Sequence, residues 1–220
     1  MTGVSLHPVE LVIFDCDGVL VDSEGPSNRV CAAEITKPGW PMTAAESTAH
    51  FIGYRLSDLP AVIEAYTHRP VPHGWVEHLR QAIIAAFDTL QPIAGAQAAL
   101  KAVTALGVPY RVASNSSHEE MAVKFARTGL APLVTGRLHS AQDVARGKPH
   151  PDVFLAAAMA EGVLPERCLV VEDSLPGVTA ALAAGMEVLL LTTPGAALVP
   201  GSMPICRLDE VAGFLRASAS

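Results

Sequence analysis

The segment Asp15-Cys16-Asp17-Gly18 places two carboxylates two residues apart, directly after the apolar run Val9-Glu10-Leu11-Val12-Ile13-Phe14. One carboxylate can attack an electrophilic phosphorus and become esterified. The other can protonate a departing oxygen and later deprotonate water. Three more polar groups follow apolar runs or stand at helix starts: Ser114-Asn115, Lys148 before Pro149, and Glu172-Asp173 before Ser174. Clustered carboxylates repel one another unless a cation sits among them, and hard oxygen ligands suit Mg²⁺. An ammonium and a hydroxyl can offset and hydrogen-bond phosphoryl oxygens. The inventory therefore suits phosphoryl transfer. A calcium loop is a poorer reading, because Val19 and Leu20 stand where such a loop needs a ligand and a glycine.

For these groups to meet, each must leave a strand at the same edge of one sheet, which is where open α/β sheets build their sites. Apolar runs of strand length lie at 9–14, 110–113, 168–171 and 187–191, and the first is apolar on both faces, as a central parallel strand requires. Helical periodicity occupies 95–106, 117–128, 151–161, 174–184 and 209–216, with Pro151 opening one helix and Gly185 stopping another. This alternation predicts an α/β fold: a Rossmann-like, mainly parallel sheet sandwiched by helices. Residues 22–90 read instead as helical segments broken at Pro38-Gly39, Pro41, Gly53 and Pro70 to Gly74. The expected organisation is a catalytic core of 1–21 and 91–220 with an inserted all-helical cap at 22–90. The Gly/Pro-rich stretch from Pro194 to Pro204 reads as a surface loop.

The motifs resemble those of the haloacid dehalogenase superfamily: Asp15-Cys-Asp17-Gly18-Val-Leu-Val-Asp22-Ser, then Ser114-Asn115, Lys148-Pro149 and Glu172-Asp173-Ser174, in the family's order. The helical block is similar to the cap of its β-phosphoglucomutase and phosphoglycolate phosphatase subgroup. That resemblance implies that Asp15 is the nucleophile and a Mg²⁺ ligand, and that Asp17 is the general acid/base, with its carbonyl also on the metal. It implies that Ser114, Asn115 and Lys148 bind the phosphoryl group, and that Asp173, with Glu172 beside it, completes the metal site. Arg55 is a candidate for touching substrate from the cap. The acid at 17 points to phosphate esters rather than carbon–halogen bonds. Mutases of the subgroup share both acids, but usually carry a histidine twelve positions beyond the nucleophile, where this chain has Ser27. The expectation is a Mg²⁺-dependent phosphatase of small phosphorylated metabolites, sugar phosphates among them. The alternatives are a phosphosugar mutase and, more distantly, a non-catalytic phospho-receiver domain.

Composition bounds the partners. The 220 residues are 50% hydrophobic, with a formal net charge of −7, which disfavours binding to nucleic acid or anionic membranes. No apolar stretch reaches membrane-spanning length, and Met1 to Pro8 has no signal-peptide pattern. The four cysteines form no C-x-x-C pair, so reduced thiols and a cytoplasmic location are expected. No G-x-G-x-x-G follows the first strand, which argues against a dinucleotide-dependent dehydrogenase. A cap over the site makes a monomer sufficient.

Overall fold

The computed structural model describes residues 8–51, 54 and 56–218. Six strands form one parallel sheet: β1 (Leu11–Phe14), β2 (Tyr110–Ser114), β3 (Leu138–Ser140), β4 (Cys168–Glu172), β5 (Glu187–Leu191) and β6 (Met203–Ile205). Their order is β3-β2-β1-β4-β5-β6, so the chain reverses direction across the sheet between β1 and β4. Ligands of open α/β sheets sit beyond the carboxyl ends of the strands at that reversal.

All four side chains of β1 are fully buried, as are the central residues of β4. Burying each such side chain contributes about 2 kcal/mol, an upper estimate for a compact unfolded chain. Covering both faces requires helices on the sheet. Asp152–Glu161 packs on β1, β2 and β3, Leu175–Ala183 on β4 and β5, and Ala96–Ala105 on β2. Ile13, Val170, Phe154, Ala157, Val178 and Val188 belong to one continuous apolar cluster.

The register carries the functional consequence. Phe14 lies opposite Val112 on β2 and Val171 on β4. The next residues, Asp15 and Glu172, therefore leave the sheet side by side, and the Asp15 N–H donates to the Val171 carbonyl at 2.9 Å. After Asp15 the chain turns through Gly18, at φ +75°, a left-handed value that glycine adopts without strain. Val19, Leu20 and Val21 then return to the core with no exposure, anchoring the loop from below.

Two of the strands differ from expectation. β3 is three residues long and half-exposed at two of them, too short for a periodic signal. β6 includes Pro204 and occupies the end of a stretch expected to be loop. As an edge strand it can accommodate a proline, whose missing N–H faces away from β5.

The chain divides into two compact units, one running up to Asp22 and resuming at Gln91, the other Ser23–Leu90. Asp22 falls in the first unit because its N–H donates to the Gln91 carbonyl and Val21 bridges to Pro92. The second unit contains the helices Glu24–Thr36, Ala44–Phe51, Leu59–Thr67 and Trp75–Ala85. They close over their own core of Ile35, Leu59, Ile63, Trp75, Leu79, Ile83 and Phe87. Among the described residues this unit holds no strand. No helix among the described residues is long and apolar enough to cross a membrane.

Candidate active site

Lys148 is the centre of the arrangement. Its buried ammonium donates to Asp15 Oδ1 at 2.6 Å, to Glu172 Oε1 at 2.6 Å and to the Ala113 carbonyl at 2.9 Å. All three of its donors are therefore used on groups leaving β1, β2 and β4. Burial alone would push the Lys148 ammonium down, but the Asp15 and Glu172 carboxylates outweigh it and hold the group above the usual lysine range. The lysine is aimed by Asn115, whose side chain accepts from the Lys148 N–H at 2.8 Å and donates to the Lys148 carbonyl at 3.1 Å. Residue 147 is glycine because a Cβ there would meet Asn115 Oδ1 at 2.5 Å.

Glu172 is fully buried and occupied on both oxygens. Oε1 takes Lys148, while Oε2 accepts from the N–H groups of Asp173 and Ser174 at 3.0 and 3.2 Å and from the Ser174 hydroxyl at 3.0 Å. It thus ties the loop that carries Asp173 to the lysine. Gly177 makes room for it: an added Cβ would fall 1.9 Å from the Glu172 carboxyl carbon. Helix propensity alone favours alanine over glycine by about 1 kcal/mol. Gly177→Ala is nonetheless expected to destabilise the protein by about 3 kcal/mol in urea melts, because the clash is with a carboxylate that cannot move. An unchanged or raised melting point would contradict that packing.

Asp15, Glu172 and Asp173 each bring a carboxylate oxygen to within 4.8 Å of the others. The Asp173 carboxylate lies over Gly18, where a Cβ would come 1.8 Å from Oδ2. One ammonium facing two buried carboxylates leaves an excess of negative charge. Burial is the largest influence on Asp15; Lys148 opposes it, and Glu172 and Asp17 add to it, raising the carboxyl to about 7. A divalent cation with oxygen ligands fits this donor set and relieves that excess.

Asp17 is held separately. Its Oδ2 accepts from the Ser116 hydroxyl at 2.8 Å and the Ser114 hydroxyl at 3.3 Å, and its Oδ1 accepts from the Lys124 ammonium at 2.5 Å. Lys124 also donates to Ser116 Oγ at 2.7 Å. The lysine rides on the helix His118–Arg127, started by a capping box in which Ser117 and Glu120 satisfy each other's backbone N–H groups. Burial presses the Lys124 ammonium down, and the Asp17 carboxylate more than reverses this.

The structure therefore gathers Asp15, Asp17, Ser114, Asn115, Lys148, Glu172 and Asp173 at one end of the sheet. Arg55 lies outside the described residues. Ser116 and Lys124 were not anticipated. The signal was present: Lys124 falls on the same helix face as Met121 and Phe125, where a lysine has no reason to be unless something charged faces it. Cys16 is fully buried and burial pushes its thiol up, which leaves it a packing residue.

A family model for haloacid dehalogenase-like hydrolases matches residues 9–185. Among curated proteins, 6-phosphogluconate phosphatase of Escherichia coli is 33% identical over 182 residues, covering 82% of this chain and 81% of that protein. A probable pseudouridine-5'-phosphatase of Drosophila melanogaster is also 33% identical, covering 88% and 86%. Among solved structures, a HAD family hydrolase from Deinococcus radiodurans with bound phosphate and sodium superposes with a TM-score of 0.76. It is 32% identical, with 96% of both chains covered.

Proposed function

The chain belongs to the haloacid dehalogenase-like hydrolase family, and from that footing we propose that it is a Mg²⁺-dependent phosphatase of small phosphorylated metabolites, sugar phosphates among them. The observation that carries the reading is the separate fixing of two acids two residues apart, Asp15 by Lys148 and Asp17 by Ser114, Ser116 and Lys124.

Asp15 is the nucleophile. Its carboxylate oxygen attacks phosphorus, the bond from phosphorus to the ester oxygen breaks, and an aspartyl-phosphate forms on Asp15. Asp17, having taken up a proton from solvent as the ester binds, gives it to the departing alkoxide. In the second half Asp17, now a carboxylate, takes a proton from water as that water attacks phosphorus and releases phosphate from Asp15. Lys148 keeps Asp15 aimed and, with Ser114, offsets charge on the phosphoryl oxygens. Mg²⁺, held by Asp15, Asp173 and the Asp17 carbonyl, would supply charge neutralisation at those same oxygens. Glu172, with both oxygens engaged, positions Asp173 and Lys148 from behind.

We assign choice of substrate to the inserted Ser23–Leu90 unit, and a reducing, cytoplasmic setting to a chain whose four cysteines are all free. The test is a phosphate-release assay with Mg²⁺ over several dozen phosphomonoesters, ranked by kcat/KM. Sugar and polyol phosphates should lead the ranking. A hexose 1-phosphate should yield free phosphate rather than an isomeric hexose phosphate when followed by NMR. Release from none of the esters would sink the proposal.

A further inference from the structure

Asp15 and Glu172 are buried, Asp173 is partly so, and the Asp17 side chain keeps 28% of its surface exposed. What holds Asp17 lies on its covered side. Lys124, with a side chain only 5% exposed, sits 107 residues away in sequence and delivers its ammonium to one oxygen of Asp17. The Ser116 hydroxyl takes the other oxygen and itself accepts from the same ammonium, so the three groups close a small ring of hydrogen bonds. Ser114 adds a longer contact to the Ser116-bound oxygen. Burying an ammonium is costly, and a hydrophobic side chain would fill that helix position more favourably if packing were all that mattered. Asp17 is thus held on both carboxylate oxygens while part of its side chain stays in contact with solvent.

We propose that Lys124, acting with Ser116, is a positioning residue for the general acid/base: it fixes the Asp17 carboxyl group where an ester oxygen can reach it and keeps it from turning onto Lys148 and the Asp15 cluster. The proposal rests on the reading of Asp17 given above. It divides the labour between two buried lysines, Lys148 aiming the nucleophile and Lys124 aiming the proton donor. A general acid displaced by about 1 Å loses much of its effect, since proton transfer needs hydrogen-bond distance to the leaving oxygen.

Leaving-group dependence separates this role from a merely structural one. p-Nitrophenolate departs readily without a proton, whereas an alkoxide does not. kcat/KM reports the steps through phosphoryl transfer to Asp15, so later hydrolysis does not enter the comparison. With Mg²⁺ and the full chain, Lys124→Met should lower kcat/KM for the best alkyl phosphate of the panel by about thirtyfold or more, within the range of general acid catalysis. For p-nitrophenyl phosphate the fall should stay within about threefold on the same principle. Ser116→Ala, a smaller change that preserves the buried charge pair, should lower kcat/KM for the alkyl phosphate by about tenfold and leave p-nitrophenyl phosphate within about twofold. Should Lys124→Met fail to fold, the Ser116→Ala comparison decides alone. Equal losses for both esters, or none for either, in a folded variant would overturn the assignment of Lys124 and Ser116. A wild-type enzyme that releases phosphate from neither ester would instead overturn the phosphatase reading on which the assignment stands.

Discussion

Asp15→Asn should lower phosphate release by about 10⁴-fold or more, because the replacement has the same shape but no nucleophilic oxygen anion. Lost activity by itself would not separate chemistry from unfolding, and the electrostatics supply the second measurement. In the metal-free protein the Asp15 carboxyl is raised to about 7 from an ordinary 3.8. A raised acid binds its proton more tightly when folded than when unfolded. Its effect on stability is therefore nil below pH 4 and grows increasingly unfavourable as pH climbs toward 7, where it levels off. Asparagine removes that burden. In the presence of a chelator at pH 8, Asp15→Asn should melt higher than wild type, by on the order of 2 kcal/mol. At pH 4 the two proteins should melt together. Inactive yet stabilised is the signature of a site that trades stability for function. An Asp15→Asn enzyme of normal activity would remove the proposed mechanism altogether.

Asp17→Asn should act differently on both counts. The nucleophile remains, so the first step survives for esters with a good leaving group. Hydrolysis of the aspartyl-phosphate then lacks its base. With p-nitrophenyl phosphate, a rapid acid quench followed by mass spectrometry should find a phosphoryl group on Asp15. With alkyl phosphates, kcat/KM should fall by about 10²- to 10⁴-fold, the usual worth of a general acid. The stability change should carry the opposite sign to that of Asp15→Asn. Lys124 is buried and donates to Asp17 at 2.5 Å, so losing the carboxylate leaves an ammonium without that counter-charge. We expect a loss of about 2 kcal/mol, discounted from the full penalty because Asp17 is partly solvated. Full activity of Asp17→Asn toward alkyl phosphates would mean that the proton comes from elsewhere.

The contrast between the two variants follows from how charge is distributed. Around Lys148, one ammonium serves two carboxylates, so removing a carboxylate relieves repulsion. Around Lys124, the Asp17 carboxylate is the charge that most supports the buried ammonium, so removing it exposes a cost. Acids two residues apart thus sit in opposite electrostatic regimes, and nothing in their spacing announces it.

The strands that carry the site were readable because burial on both faces demands continuous apolar runs. β1, β2, β4 and β5 have them. β3 and β6 were not readable. A three-residue edge strand exists only because a longer neighbour offers it a ladder, and Pro204 masks β6 further. Asp15, Asp17, Ser114, Asn115, Lys148, Glu172 and Asp173 were legible for a related reason. Each lies within a few residues of a strand end or a helix start, where local pattern and chemistry coincide. Asn115 was expected near the phosphate through its backbone or side chain, and its side chain holds the Lys148 backbone, a contact spanning 33 residues.

Asp15-Cys16-Asp17-Gly18 shows where the division falls. Residue type and order determined that two acids leave a buried strand at a tight turn, and which reactions such a pair can perform. Only the tertiary structure decided that Lys148 spans the first acid and Glu172 at once, and that the second acid answers to Lys124. The pairings of the two acids link residues 133 and 107 positions apart. They depend on sheet order, strand register and the phase of a helix, quantities set by packing the whole core at once.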